Sequence, residues 1–405
     1  MQVAAIASRA THWFGRVQAK RTASIPRTAA LIMDQNRGAG PGFDLMRLGL
    51  ALTIFITHSY FVSQGDDGSL WQGPLRPLLV SLVPVFFGVS GFLVTGSAVR
   101  TAALKVFVAF RVLRIAPALV TEVCLSALIL GPLVTRLPLR DYFGDHAFFE
   151  YFGNVLGRIR FVLPGVFLDN PMPDFVNVNL WTLRPEFYCY AIMATLMVLG
   201  LAAKPRVLTW LVMVTALALT AINFFHNLSD KPDGYQMNVP VFYFFVGALA
   251  YHWRARIIID LRLFGACAVL SYLLLRHPGY AYVAAFPVTY CMIYLGMLPL
   301  PRISLLQMGD YSYGIYLYGF PIQQTLVHFF PVFREHWPLL FCVAAPLTLS
   351  FAMLSWHFIE RPTLQLKRIV APKISVVTPG LDAQPEASAK SGAALGLPEI
   401  NRAGV

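Results

Sequence analysis

The chain has 405 residues, 57% hydrophobic and only 13% charged, with a mean hydropathy of +0.60, whereas a soluble domain carries about 25% charged residues. Its formal net charge is +12, but the Lys and Arg lie between apolar runs and form no dense patch interleaved with stacking aromatics, so they speak for membrane topology and against nucleic acid. The five cysteines, Cys124, Cys189, Cys267, Cys291 and Cys342, fall in apolar stretches without metal-ligand spacing, so neither disulfides nor a bound metal is expected.

Residues 1–40 are basic, with no acid before Asp34. They read as a surface-lying cytoplasmic arm or as a targeting segment, and Met33 is an alternative start. Ten apolar runs follow, at 45–63, 76–97, 110–134, 180–202, 207–225, 238–253, 263–276, 279–299, 308–330 and 338–358, which predicts an all-α polytopic membrane protein of about ten transmembrane helices. An inside N-terminus puts most of the basic residues on cytoplasmic segments, among them Arg100, Lys105, Arg111, Arg114, Lys204, Arg254, Arg302 and Lys367. The positive-inside rule then makes both termini cytoplasmic. The loop from about 135 to 179 is the one sizeable outer segment, and it carries Asp141, Asp145, His146, Glu150, Arg158, Arg160, Asp169 and Asp174. Residues 371–405, rich in Ala, Pro, Gly and Ser, read as a disordered cytoplasmic tail. That leaves 41–370 as a single transmembrane domain.

The first run, "FDLMRLGLALTIFITHSYFV", holds Arg47 and His58 eleven residues apart. Eleven steps of 100° return to within about 20° of the starting direction and climb roughly 16 Å, so both side chains share one face. Ionisable groups are expensive at membrane depth. His58 is either a general base or a packing histidine bonded to a neighbouring helix, and Arg47 is either its partner along a line across the membrane or an interfacial anchor. In "FVAFRVLRIAPA", Arg111 and Arg114 point to one side; two guanidiniums suit a phosphate or pyrophosphate, and they equally suit a positive flank. Glu122, eleven residues past Arg111, reads as a buried partner for a neighbouring helix.

Gly88, Ser90 and Gly91 in "PVFFGVSGFLV" are small residues that allow close helix approach or line a narrow channel. "NLWTLRPEFYCY" opens the fourth run with Trp181 as an interfacial aromatic, and Glu186 is placed to orient His58, to hold an acceptor hydroxyl or to pair with Arg184. "GDYSYGIYLYGFPIQQ" sets Asp310, Ser312, Tyr311 and Tyr318 along the ninth run, as a pore wall or as core. "SWHFIERP" ends the tenth with Glu360, Arg361 and Pro362, read as an inner-surface ion pair and a helix stop.

These stretches, in this order, resemble the acyltransferase-3 family of bacterial integral-membrane acyltransferases over about residues 40–370. The resemblance rests on the R-x10-H spacing of Arg47 and His58, "FFGVSGFLV", "RVLRIAP", "NLWTLRPEFYCY", "YSYGIYLYGFPI" and "FIERP". It is greatest to stand-alone members that decorate exopolysaccharides or lipid-linked glycans. What it implies is a protein of the bacterial inner membrane that moves an acyl group, most often acetyl, from cytoplasmic acyl-CoA to a hydroxyl of an extracytoplasmic saccharide. His58 is then the catalytic residue, with Glu186 as its orienting carboxylate. Arg47, Arg111 and Arg114 become required positions, the last two holding CoA phosphates. Two departures stand out: Gly319 occupies the place of a histidine in the ninth-run "Y-L-x-H-x-P" pattern, and "NVNLWTL" replaces "N-G-S-L-W-T-L". A transporter or flippase for a lipid-linked sugar is the competing class, since it would use the same polar passage without chemistry.

Overall fold

The structure, a computed structural model, describes residues 27–36, 38, 40–65, 68–101, 103–226, 237–299 and 309–370. The expected tail at 371–405 and most of the basic arm lie outside the described residues. Within them the fold is all-α, and pairing of extended backbone is confined to isolated bridges such as Thr135 with Val166 and Val162 with Phe175.

A short helix, α1 (Ala29–Gln35), precedes the long ones: α2 (Phe43–Gln64), α3 (Arg76–Thr101), α4 (Leu104–Leu125), α5 (Leu183–Val198), α6 (Pro205–His226), α7 (Asn238–His252), α8 (Leu261–Leu275), α9 (Ala281–Gly296), α10 (Ser312–Phe329) and α11 (Trp337–Ser355). Among the described residues, five segments are long and apolar enough to cross a membrane: Phe43–Gln64, Arg76–Thr101, Leu104–Val134, Pro205–Phe225 and Trp337–Ile369. Met33, the alternative start, is a core residue here: α1 buries Ala29, Ile32 and Met33 against Phe43, Phe92 and Tyr251.

The tightest helix pair is α3 with α7, and its cause is local sequence. A Cβ on Gly91 would overlap the carbonyl oxygen of Phe244, and one on Gly247 would overlap that of Gly88. Small residues thus bring two backbones into contact where lipid supplies no hydrophobic drive between helices. The second core joins α2, α10 and α11 through Phe55, Val62, Ile315, Phe320, Leu340 and Ala344.

Two helices continue through a π turn that sequence reading did not anticipate. α4 passes through Ser126–Leu130 into Gly131–Val134, and α11 passes through Trp356–Glu360 into α12 (Arg361–Gln365). In each case the first N–H after the turn reaches back five residues, Gly131 to Ser126 and Arg361 to Trp356, and a proline follows at once, Pro132 or Pro362. A proline ring clashes with the carbonyl four residues earlier, and widening the turn relieves that clash. Pro362 therefore does not stop the helix as expected. It shifts the register by one residue and turns Glu360 inward, where it is 2% exposed.

The expected outer loop folds as short helices Leu139–Gly144, His146–Tyr151 and Phe152–Leu156. It is tied by an Arg136–Asp169 ion pair and by Arg160, which donates to Glu150 from Nε at 3.0 Å and Nη2 at 3.1 Å. Those bonds hold the Glu150 carboxyl below the usual carboxylate range.

The loop then plunges. Asn177 Nδ2 donates to the Leu317 carbonyl at 2.9 Å, and Asn179 Nδ2 donates to the Tyr316 carbonyl at 2.7 Å. Tyr316 Oη returns a bond to the Asn179 carbonyl at 2.5 Å. The Leu317 carbonyl has no helical donor because that donor would be the N–H of residue 321, which is a proline. Residues 178–182 form a 3-10 turn in the bundle, with Leu180 fully buried. Non-helical backbone is tolerated at such depth only where protein or a cavity surrounds it. The fourth helix accordingly begins inside the bundle, and Trp181, expected at an interface, belongs to the inserted segment.

Candidate active site

Polar groups from four elements meet toward one end of the bundle: the second turn of α2, the middle of α4, the residues just before α10, and the π turn after α11. Asp310 is their centre. Its Oδ2 lies 2.6 Å from Arg47 Nη2 and 2.6 Å from Arg114 Nη2, while Oδ1 accepts from Ser312 Oγ at 2.6 Å. Arg114 Nη1 also donates to Glu360 Oε2 at 3.3 Å, and Glu360 Oε1 accepts from Ser355 Oγ at 3.2 Å. Two guanidiniums and two carboxylates balance, which is how charges are retained where water is scarce. Glu360 thus pairs across the bundle with Arg114, not with its neighbour Arg361 as the sequence suggested.

Arg111 behaves differently. Its guanidinium carbon stands 6.0 Å from the Phe107 ring centroid and 5.9 Å from that of Tyr190. Among the described residues it forms no ion pair, and its buried Nε has no hydrogen-bond partner. Of the three arginines expected at the site, it is the one not bonded to a carboxylate among the described residues, although Glu186 lies within electrostatic reach of it.

These groups open onto a cavity of about 210 Å³ lined by Arg47, Arg111, Arg114, Glu186, Ser312 and Tyr316 on its polar side, and by Val83, Phe87, Val94 and Phe244 on its apolar side. Ser90 also lines it, so the small-residue stretch serves both suggested purposes: its glycines pack α7 and its serine faces the cavity. The plunging loop contributes Thr182 and Leu183 to the wall. The cavity therefore runs from the arginine end to a segment that arrives from the opposite end of the bundle.

Glu186 sits on the wall, and its Oε1 accepts from Tyr190 Oη at 2.5 Å. It is not bonded to Arg184, whose Nε donates to Tyr188 Oη at 3.1 Å, nor to His58. His58 is placed one helical turn beyond Ile54, the far α2 residue on the cavity wall, about 6 Å further along the axis. Its ring meets Phe320 edge-on at 5.5 Å between centroids, and no hydrogen bond to it is formed among the described residues. The structure thus gathers Arg47, Arg111, Arg114 and Glu186 in one chamber and sets His58 just past its end. Glu122 is buried as expected, but its partners are Ser126 on its own helix, at 3.0 Å, and Asn177 of the inserted loop, at 2.8 Å.

The sequence left Asp310 without a partner and gave Glu360 its neighbour Arg361 in place of Arg114. The usable signal was their excess: each is an acid at the mouth of an apolar run, where a lone carboxylate is costly. Among the described residues no three His, Cys, Asp or Glu converge as a metal site.

A helical membrane bundle with an arginine-lined chamber and a histidine at its far end is the class of protein that fold and site define. The acyltransferase-3 family model, described as an acyltransferase domain, matches residues 41–357, and the chain belongs to that family: it is a membrane acyltransferase. It is 25% identical over 353 residues to an O-acetyl transferase of Shigella phage Sf6, covering 82% of this chain and 98% of the relative. It is 30% identical over 375 residues to nodulation protein 10 of Rhizobium leguminosarum bv. viciae, covering 85% of this chain and 98% of that protein. No solved structure matches it significantly.

Proposed function

We propose that the protein is an O-acyltransferase that takes an acetyl group from cytoplasmic acetyl-CoA and esterifies a hydroxyl of an extracytoplasmic saccharide, such as an exopolysaccharide or a lipid-linked glycan. About ten crossings, both termini in the cytoplasm and residence in the bacterial inner membrane complete the reading. The observation that carries it is a chamber with cations at one end whose α2 wall ends at Ile54, one helical turn short of His58. A phosphate-bearing donor suits the cationic end. Similarity to an O-acetyl transferase supports the choice of group.

The chemistry follows from what the residues offer. His58, neutral and without a hydrogen-bond partner among the described residues, takes the proton of the acceptor hydroxyl as its oxygen attacks the thioester carbonyl. The tetrahedral intermediate collapses with cleavage of the C–S bond, and His58 returns the proton to the departing thiolate. For this the thioester has to pass Ile54 and reach the imidazole. Glu186, bonded to Tyr190, shapes the chamber wall along the way and acts on His58 only through that wall.

The test is NMR of surface glycans from a deletion strain complemented with wild type or with His58→Ala. One ester signal lost in the deletion and restored by wild type alone supports the assignment. An ester pattern the deletion leaves intact overturns saccharide acylation.

A further inference from the structure

We propose that Lys367 is a ligand for the phosphates of the acyl donor, forming with Arg111 a two-cation subsite beside the arginine end of the chamber; this rests on the donor assignment made above. Lys367 follows α12 and lies outside residues 41–357, which match the family model. The π turn before Pro362 carries the chain on as helix and brings this lysine back over the first half of α4. Its Nζ stands 5.3 Å from the centroid of Phe110, the residue next to Arg111, and its charge faces those of Arg111 and Arg114.

Lys367, Arg111 and Arg114 therefore converge on one face of α4, and with Arg47 nearby the four cations are compensated unequally. Arg114 is bonded to Asp310 and Glu360, and Arg47 to Asp310. Among the described residues neither Arg111 nor Lys367 forms an ion pair. Glu186 on the same wall lies within electrostatic reach of Arg111 without bonding to it, and Arg111 keeps an unused buried N–H donor. Like charges held this close without bonded counter-ions repel one another, and the repulsion is relieved by a ligand bearing at least two negative charges. The pyrophosphate and 3′-phosphate of a coenzyme A thioester have that chemistry. Arg47 and Arg114, already tied down, stiffen the wall, while Arg111 and Lys367 hold the anion.

The experiment measures binding of coenzyme A, 3′-dephospho-coenzyme A and pantetheine to the full chain in detergent, for wild type, Lys367→Gln, Lys367→Arg and Arg111→Ala. In Lys367→Gln the preference for coenzyme A over pantetheine is expected to fall about tenfold, the scale of one lost charge-assisted hydrogen bond, and Lys367→Arg is expected to restore it. Lys367→Met, which keeps the packing on Phe110, is the second variant should glutamine disturb the fold. A preference kept in both Lys367→Gln and Lys367→Met but lost in Arg111→Ala overturns the role of Lys367 and leaves the donor assignment standing. Wild type with no affinity for coenzyme A overturns both.

Discussion

The side-chain amide of Asn177 occupies the main-chain carbonyl of Leu317 at 2.9 Å, a carbonyl that Pro321 cannot serve. One residue of the outer loop thereby completes a helix that begins 135 residues later in the chain. The same amide donates to Glu122 at 2.8 Å, so three segments depend on a single NH₂ group.

Asn177→Ala is expected to cost about 1–3 kcal/mol, the penalty for buried acceptors left unpaired. Thermal unfolding of the detergent-purified protein reads it. Restoring the helical donor with Pro321→Ala should recover part of the loss, so the double variant is less destabilised than the two single effects combined. Strict additivity would mean that the two groups do not compete for Leu317.

Asp310→Ala removes the carboxylate shared by Arg47 and Arg114, leaving Arg114 only its longer bond to Glu360. Both guanidiniums are about a fifth exposed, so water softens the loss, and about 1–3 kcal/mol of stability is expected to disappear. Acyl transfer should fall by at least about tenfold, because the two side chains no longer hold the chamber wall. Arg47→Ala in the Asp310→Ala background should then add little, and a full second penalty would show that the pair acts independently.

His58→Ala separates chemistry from folding. With no hydrogen bond to lose among the described residues, its stability change should stay below about 1 kcal/mol. The turnover of acyl donor and acceptor should drop by roughly 10²- to 10⁴-fold, the usual worth of a general base. A variant that transfers acyl groups at the wild-type rate would remove His58 from the mechanism.

Gly91→Val should prevent α3 and α7 from meeting, since even a Cβ there overlaps the Phe244 carbonyl. Loss of folded protein in detergent is the expected outcome, read by size-exclusion chromatography. Ser90→Ala, on the chamber side of the same helix, should yield normal amounts of folded protein.

What the sequence disclosed divides along physical lines. Helix positions came from apolar runs, because burial and lipid both demand them, and the spacing of Arg47 and His58 fixed a shared face without any tertiary information. The glycines at 88 and 91 announced a close crossing for the same reason. The pairing of Asp310 with arginines 263 and 196 residues away was illegible, since hydropathy reports the side a residue faces and not the group that meets it there. Glu360 was misread because a one-residue π insertion rotates a side chain by about 100° without leaving a mark in composition. The start of α5 was placed too far out: the 3-10 segment before it is as apolar as a helix, and only its bonds to Tyr316 and Leu317 reveal its depth.

That depth constrains how the protein is made. At sixteen residues, α5 extends about 24 Å, short of a hydrocarbon core of about 30 Å, and the segment leading into it finds its bonding partners on α10, which the ribosome delivers much later. Residues 177–182 therefore have to wait, unsatisfied, in the translocon or at the membrane surface until the C-terminal third of the chain has arrived. Insertion cannot be a simple procession of hairpins, and truncated chains ending before residue 312 should be cleared by quality-control proteases.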